Sequence, residues 1–357
     1  MNAVCTPSHA SVAASATPKA QASLGTVLVL GARGRLGYGC VQAFAQAGWR
    51  VLAHVRPGSA LARSAPPPTG QVGVHWLDTD LNDARAWQTM LQTQGPVGVV
   101  VNTMASGGAS LAGPQELSTV AQQGIDLARQ AQALLLSPLT VLTYGRDMPP
   151  VLYEGAVVPQ AEPSSLIRLG QARRDADRLL EQAADSGLQV CTLRSGTYYG
   201  YAGKDWVSTT AASQLPRGRM TMLGAQDVFV PWAYLPDLAS CIEQLARQRQ
   251  RLGGMTALHF AGQLRDGRLW HEALERTART QGWLAQGSSL QVQRQQWWWW
   301  QARGGFLPHR RRLAELAYLW RTPFQLDNRQ LLALIGKEPH TPWQQSVDAA
   351  VQRLFAR

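Results

Sequence analysis

The sequence predicts an α/β protein: a doubly wound parallel sheet followed by a smaller, mostly helical C-terminal domain. Two observations predict it. Short apolar, β-rich runs alternate with segments of helical periodicity from residue 26 to about 195, and that alternation builds a parallel sheet covered on both faces. A glycine-rich turn, Gly31-Ala32-Arg33-Gly34-Arg35-Leu36-Gly37, joins the first apolar run to the first helical segment.

Taken in order, Thr26–Leu30 is the first strand. Leu36, Cys40, Val41 and Phe44 share one face of a helix over 35–48. Arg50–Val55, Val72–Leu77 and Val97–Val101 are the next strands, with a helix over 83–93 between the last two. The pattern then predicts a long helix over 117–136, a strand at Leu139–Thr143, a helix over 170–186 and a strand at Leu188–Leu193. Beyond 195 the regularity breaks. Pro236-Asp237 opens a helix to about 248, and Ala257–Phe260 is a late strand. Asp327 caps a helix that stops at Gly336, and Thr341-Pro342 opens the last helix. The expected division is a tail over 1–24, a nucleotide-binding domain over 25–195 rejoined by 236–260, and a smaller domain from 196–235 and 261–357.

Composition narrows the function classes. The chain has 357 residues and a formal charge of +11, carried almost wholly by arginine, since Lys19, Lys204 and Lys337 are its only lysines. Such a charge raises the weight of acidic partners, but the only basic run, Arg310-Arg311-Arg312, is not interleaved with aromatics as a nucleic-acid surface would be. No nucleic-acid partner is expected. Cys5, Cys40, Cys191 and Cys241 form no CxxC pair, and the histidines have no metal-ligand spacing, so no metal is expected. Reduced cysteines suit a cytoplasmic protein. No run reaches about 18 uninterrupted apolar residues, so no membrane span is expected.

The glycine turn carries the chemistry. Its first glycine permits the tight turn, the second admits a pyrophosphate against the backbone, and the third lets helix and strand pack closely. Amide groups at the helix start then face the phosphates. This is the Rossmann-type dinucleotide site. At the end of the second strand, where an acidic residue would take the ribose hydroxyls of NAD, the sequence has His54-Val55-Arg56-Pro57. Arg56 suits a 2′-phosphate, and Arg33 and Arg35 add positive charge, so NADP is expected over NAD.

With these residues in view, the sequence resembles the extended or atypical branch of the short-chain dehydrogenase/reductases, the NAD-dependent epimerase/dehydratase type. Asp80-Leu81 resembles the pair that contacts adenine. Asn102-Thr103-Met104-Ala105 resembles the turn that lies along the cofactor. Leu193-Arg194-Ser195-Gly196-Thr197-Tyr198-Tyr199-Gly200 resembles the family's Leu-Arg-Pro-Gly-x-x-Tyr-Gly. Pro231–Ala239 resembles its late helix start, in the form found in a bacterial subgroup of nucleoside-diphosphate-sugar epimerase-like proteins, as do Tyr318-Leu319-Trp320 and His340-Thr341-Pro342. The resemblance implies a cofactor-dependent oxidoreductase or epimerase acting on a small molecule with a carbonyl or hydroxyl group, with a sugar nucleotide as one such substrate.

The resemblance also marks a departure. The family's catalytic Tyr-x-x-x-Lys aligns with Leu169 and Arg173. Leucine cannot transfer a proton, and arginine stays protonated. Thr143 and Tyr144 are therefore the candidates to polarise a substrate oxygen, with Arg173 holding the ribose. Tyr198, Tyr199, Lys204, Asp205, Trp206 and Trp232 are the candidates to line the substrate pocket. The missing pair leaves a second reading open, a non-catalytic NADP(H)-binding sensor or assembly protein. Trp297-Trp298-Trp299-Trp300 cannot enter one core from a helix, so at least one of them faces a pocket, solvent or a second subunit of a homo-oligomer.

Overall fold

The structure is a computed structural model that describes residues 24–57, 73–104, 114–155, 167–201, 205–298 and 314–355. The N-terminal tail, Arg310–Arg312, Ala105 and Lys204 lie outside the described residues.

The chain begins with β1 (Thr26–Leu30), α1 (Arg35–Gln46), β2 (Arg50–His54), β3 (Val74–Leu77), α2 (Ala84–Gln94), β4 (Val97–Asn102) and α3 (Pro114–Ala131). It continues with β5 (Leu134–Thr140), a single 3₁₀ turn (Val141–Tyr144), β6 (Val151–Leu152), α4 (Arg168–Asp185) and β7 (Val190–Ser195). After β8 (Thr197–Tyr199), β9 (Arg219–Met222) and β10 (Val230–Tyr234) come α5 (Leu235–Arg247) and β11 (Met255–Phe260). The remainder is β12 (Gln263–Arg265), α6 (Gly267–Thr280), β13 (Gln291–Arg294), a 3₁₀ segment (Glu315–Trp320), β14 (Gln325–Leu326), α7 (Arg329–Ile335) and α8 (Trp343–Phe355).

The main sheet has seven strands in the order β11-β7-β5-β4-β1-β2-β3, and every pairing in it is parallel. Such a sheet must be covered on both faces, which explains why β1 and β5 are buried at every position. Leu36, Cys40, Val41 and Phe44 of α1 and Leu238, Cys241, Ile242 and Leu245 of α5 cover one face. Trp87 and Met90 of α2, Ile125 and Ala128 of α3, and Leu180 and Ala183 of α4 cover the other. Cys40, Cys191 and Cys241 are free thiols in this core, and burial raises the pKa of all three.

A second sheet, β12-β10-β8, sits beyond the carboxyl end of β7. Its β8 runs parallel to β10, with Thr197 opposite Trp232 and Tyr198 opposite Ala233. A separate apolar core gathers Tyr199, Trp232, Trp270, Trp297 and Trp320 with the methionines of β9.

Two local expectations are corrected. The helix expected to reach 136 ends at Ala131, because Gln132 takes a left-handed φ of 51° and turns the chain into β5. The run Leu134–Leu136 reads equally as helix or buried strand, and its place in the sheet centre decides. Thr143 consequently falls on the turn after the strand, not in it, together with Tyr144. Asp327 does not cap α7. Its carboxylate pairs with Arg329, and the Glu154 carboxylate takes the Gln330 and Leu331 amides instead.

Candidate functional site: a dinucleotide cleft at the switch point

Strand order reverses between β1 and β4, so the connections from β1 and β4 leave in opposite directions and open a crevice at their carboxyl ends. Gly31 follows β1 with φ of 75°, a conformation suited to glycine. The Gly34 amide donates to Gly31 O at 2.8 Å, and Thr103 Oγ1 donates to Leu30 O at 2.6 Å, tying the β4 end to the loop. A Cβ on Gly37 would lie 2.1 Å from Gly31 O and 2.7 Å from Thr103 Oγ1. Only glycine permits that approach of α1 to the strand. Gly34 is the N-cap of α1 and offers no side chain to the first-turn amides, which leaves those donors for an anion.

The resulting cleft has a volume of about 720 Å³. Its floor is Gly31, Gly34, Leu36 and Gly37; His54, Arg56 and Pro57 border one end; Asp80 and Leu81 border the same end from β3; and Thr103, Met104 and Tyr198 lie at the other. His54 is buried, with Nε2 3.0 Å from Thr79 O, and burial lowers its pKa. Arg56 is exposed and pairs with Glu116 across 3.4 Å. Arg33 stacks over the Trp76 ring at 5.6 Å. Arg35 turns toward the other end and pairs with buried Asp205 at 3.1 Å. Asp80 accepts the Asn82 amide at 2.9 Å, and its carbonyl accepts the Trp87 indole, so it shapes the turn beside the cleft.

Several of the expected site residues stand apart from this cleft. Asn102 is buried behind its wall. Its Nδ2 donates to Val120 O at 2.8 Å and its Oδ1 accepts the Met104 amide, so it fixes β4 to α3. Thr143 is fully buried. Tyr144 is buried too, and its hydroxyl lies 2.8 Å from His259 Nε2. With His259 Nδ1 3.2 Å from Asp327 O, the tyrosine O–H donates to a neutral imidazole. Arg173 lies buried on α4, close enough to raised-pKa Tyr198 for its charge to pull that phenol back down. Leu169 contacts apolar side chains of two cores. Tyr199, Trp206 and Trp232 belong to the second core; Tyr199 bonds to Ser346 Oγ at 2.7 Å, and Trp206 rests on Trp320 at 4.6 Å. Asp205 caps its own short helical turn through the Ser208 amide. Of the tryptophan run, Trp297 is buried, Trp298 is 65% exposed, and the other two lie outside the described residues.

Sequence reasoning missed the α3 wall: Glu116, Thr119, Val120 and Gln123 all border the cleft. Their i, i+3, i+4, i+7 spacing puts them on one helical face, a signal available in the sequence. Among the described residues no group of His, Cys, Asp and Glu could hold a metal ion, and no helix is long and apolar enough to cross a membrane.

Comparison with known proteins agrees with this geometry. The model of the NAD dependent epimerase/dehydratase family matches residues 27–256. The chain belongs to that family, whose members are oxidoreductases and epimerases that work with a nicotinamide dinucleotide. Curated protein sequences gave no match. Among solved structures, the UDP-Glc/GlcNAc 4-epimerase of Campylobacter jejuni superposes with a TM-score of 0.66 at 15% identity, over 92% of this chain and 99% of that one. The dTDP-glucose 4,6-dehydratase of Bacillus anthracis, solved with NAD, gives 0.65 at 12% identity, over 92% and 96%. The terminal R domain of the myxalamid PKS-NRPS pathway gives 0.67 at 16% identity, over 94% and 91%. At these identities the likeness is one of fold.

Proposed function

We propose that this chain is an NADP(H)-dependent oxidoreductase or epimerase for a small molecule bearing a carbonyl or hydroxyl group, and that Tyr198 is its proton donor. The observation that carries the reading is the switch-point cleft, where the Gly37 position would drive a Cβ into Gly31 O and the α1 end has no side-chain cap. These residues fit a dinucleotide. The amides over 34–37 would hold the pyrophosphate, Leu81 would border the adenine, and Arg56 would meet a 2′-phosphate. When bound, the nicotinamide supplies or accepts the hydride; the chain supplies position, field and a proton.

NADP is favoured over NAD because the β2 end carries a guanidinium in place of a carboxylate. Tyr198 is favoured over Tyr144 because it borders the cleft. Burial raises its pKa, which keeps it protonated but weakens it as an acid, so its action depends on groups that lower the pKa again. Its O–H donates to Leu139 O at 3.2 Å, a long bond for a hydroxyl that a substrate oxygen could replace. The charge of Arg173 opposes the burial effect, a positioning role comparable to that of a lysine.

A second reading is a cofactor-binding protein without turnover. It is favoured by Leu169, an apolar residue packed against the cores at the place where the family carries its tyrosine. The experiment that separates the two is NADPH and NADH binding to the purified chain, followed by NADPH consumption over a panel of aldehydes, ketones and nucleotide sugars. Turnover supports the first reading. Tight binding with no turnover across the panel supports the second.

A further inference from the structure

A second hollow lies in the C-terminal core, between β9, β10 and the start of α6, walled by Met220, Met222, Val230, Trp232, Trp270 and Trp320. It is small, about 30 Å³, room for about two water-sized groups. Its walls are mostly apolar, and three of the residues that line it are tryptophans. Trp232, Trp270 and Trp320 are 4%, 6% and 2% exposed, and among the described residues none of the three Nε1 atoms has a hydrogen-bond partner. An indole nitrogen is a donor only, so none of the three nitrogens can accept from another.

Their grouping is selective. Other tryptophans of the chain have found acceptors: Trp49 on Glu243, Trp87 on Asp80 O, Trp297 on Leu223 O and Trp343 on Leu269 O. Among the described residues, the buried indole nitrogens without an acceptor are those of Trp232, Trp270 and Trp320, and all three residues border one hollow. Three of the acceptors nearby are in use. Leu223 O takes the Trp297 indole, Met222 O takes the Gln295 amide, and the Asp266 carboxylate takes the Leu269 amide and Arg268. Glycine at 224 is needed to build the place, since a Cβ there would sit 1.8 Å from Trp320 O. The hollow is thus apolar, rich in donors and poor in acceptors, which is the complement of a carbonyl group on an apolar frame.

We propose that this hollow is a binding site for the carbonyl or carboxylate end of a small apolar molecule, with its oxygen accepting from the indoles of Trp232, Trp270 and Trp320. The site is separate from the dinucleotide cleft. Along β8 and β10 side chains alternate between faces. Tyr199 and Trp232 join the C-terminal core, whereas Tyr198 and Ala233 join the core under the main sheet, and Tyr198 borders the cleft. The proposal therefore does not rest on redox turnover or on the choice of cofactor. Arg265 also borders the hollow, beside the Asp266 carboxylate that pairs with Arg268.

The test is an NMR titration of the full chain with ¹⁵N-labelled tryptophan, without cofactor. Three probes are used: acetone as a neutral carbonyl, acetate as an anionic one, and dissolved xenon as an apolar group without an acceptor. Single Trp→Phe variants assign the three indole signals. Saturable downfield shifts of these signals with acetone or acetate, and not with xenon, support the site. Trp270→Phe then weakens probe binding several-fold. Because that change could disturb the core, Ala211→Leu provides a second check: it fills the hollow from its rim and should abolish the shifts while leaving the Trp49 and Trp87 signals in place. Absence of saturable shifts, equal shifts with xenon, or indole protons that stay bonded to water throughout the titration would each overturn the proposal.

Discussion

At the scale of single residues, the proposed preference for NADP rests on Arg56 and Glu116. Both are exposed, so their 3.4 Å contact is worth little by itself. Its importance lies in what a 2′-phosphate would meet there: one guanidinium able to pair with it and one carboxylate that repels it. Arg56→Ala should weaken NADPH binding about 10–100-fold, the worth of one or two charge-assisted bonds, and leave NADH within about twofold. Glu116→Gln should strengthen NADPH binding without affecting NADH. Calorimetric titration of the two variants checks both. Tyr198 makes a claim of another kind, since the effect should fall on rate. With a substrate in hand, Tyr198→Phe should lower kcat by about 10²–10⁴-fold, the usual contribution of a placed acid, with NADPH affinity retained. A Tyr144→Phe variant that lost as much rate would return the role to the residue bonded to His259.

At the scale of elements, the β1–α1 junction depends on close backbone approach. Gly37→Ala would press a methyl into Gly31 O, and the helix would have to move off the strand. Dinucleotide binding should be lost, whereas Gly34→Ala, with its Cβ 3.1 Å from the same oxygen, should keep part of it. This junction was legible in the sequence because three glycines at fixed spacing between a strand and a helix have few other uses. The segment after β5 was less legible. A run of leucines has no period of its own, and the left-handed Gln132 that ends α3 is not a residue type that announces such a turn. That displacement moved Thr143 and Tyr144 away from the cleft. Tyr144 instead bonds to His259 at the end of β11. Burial lowers the pKa of His259 to about 4, below its unfolded value near 6.5. A group depressed in this way stabilises the fold fully above the unfolded value and loses that contribution as pH falls toward the folded one. Stability should therefore drop by about 3 kcal/mol from this residue between pH 6.5 and 4. His259→Gln should remove that part of the slope, as urea unfolding across the pH range would show.

For the whole molecule, buried and half-buried carboxylates bind the C-terminal stretch to the main sheet. Glu154 takes the amides of His259, Gln330 and Leu331. Glu338 takes those of Ala261 and Gly262 and the Asn328 side chain. Asp237, at the start of α5, takes the Thr341 amide and hydroxyl. Such ties between distant parts of the chain were not legible, because a lone Glu or Asp in a sequence reads as a solvated charge until its partners are known. The doubly wound parallel sheet was legible, since strand and helix alternation leaves few topologies. Glu338→Ala should cost about 2–4 kcal/mol, leaving two main-chain donors without partners. Tryptophan fluorescence and circular dichroism should still report one coincident unfolding transition.

The most direct measurement of the central claim is calorimetric titration of the purified chain with NADPH and NADH, side by side with Gly37→Ala. The account predicts saturable binding of one dinucleotide per chain, NADPH tighter than NADH by about tenfold or more, and no heat of binding in the variant. Binding of neither dinucleotide to the wild-type chain, or undiminished binding to Gly37→Ala, would contradict it.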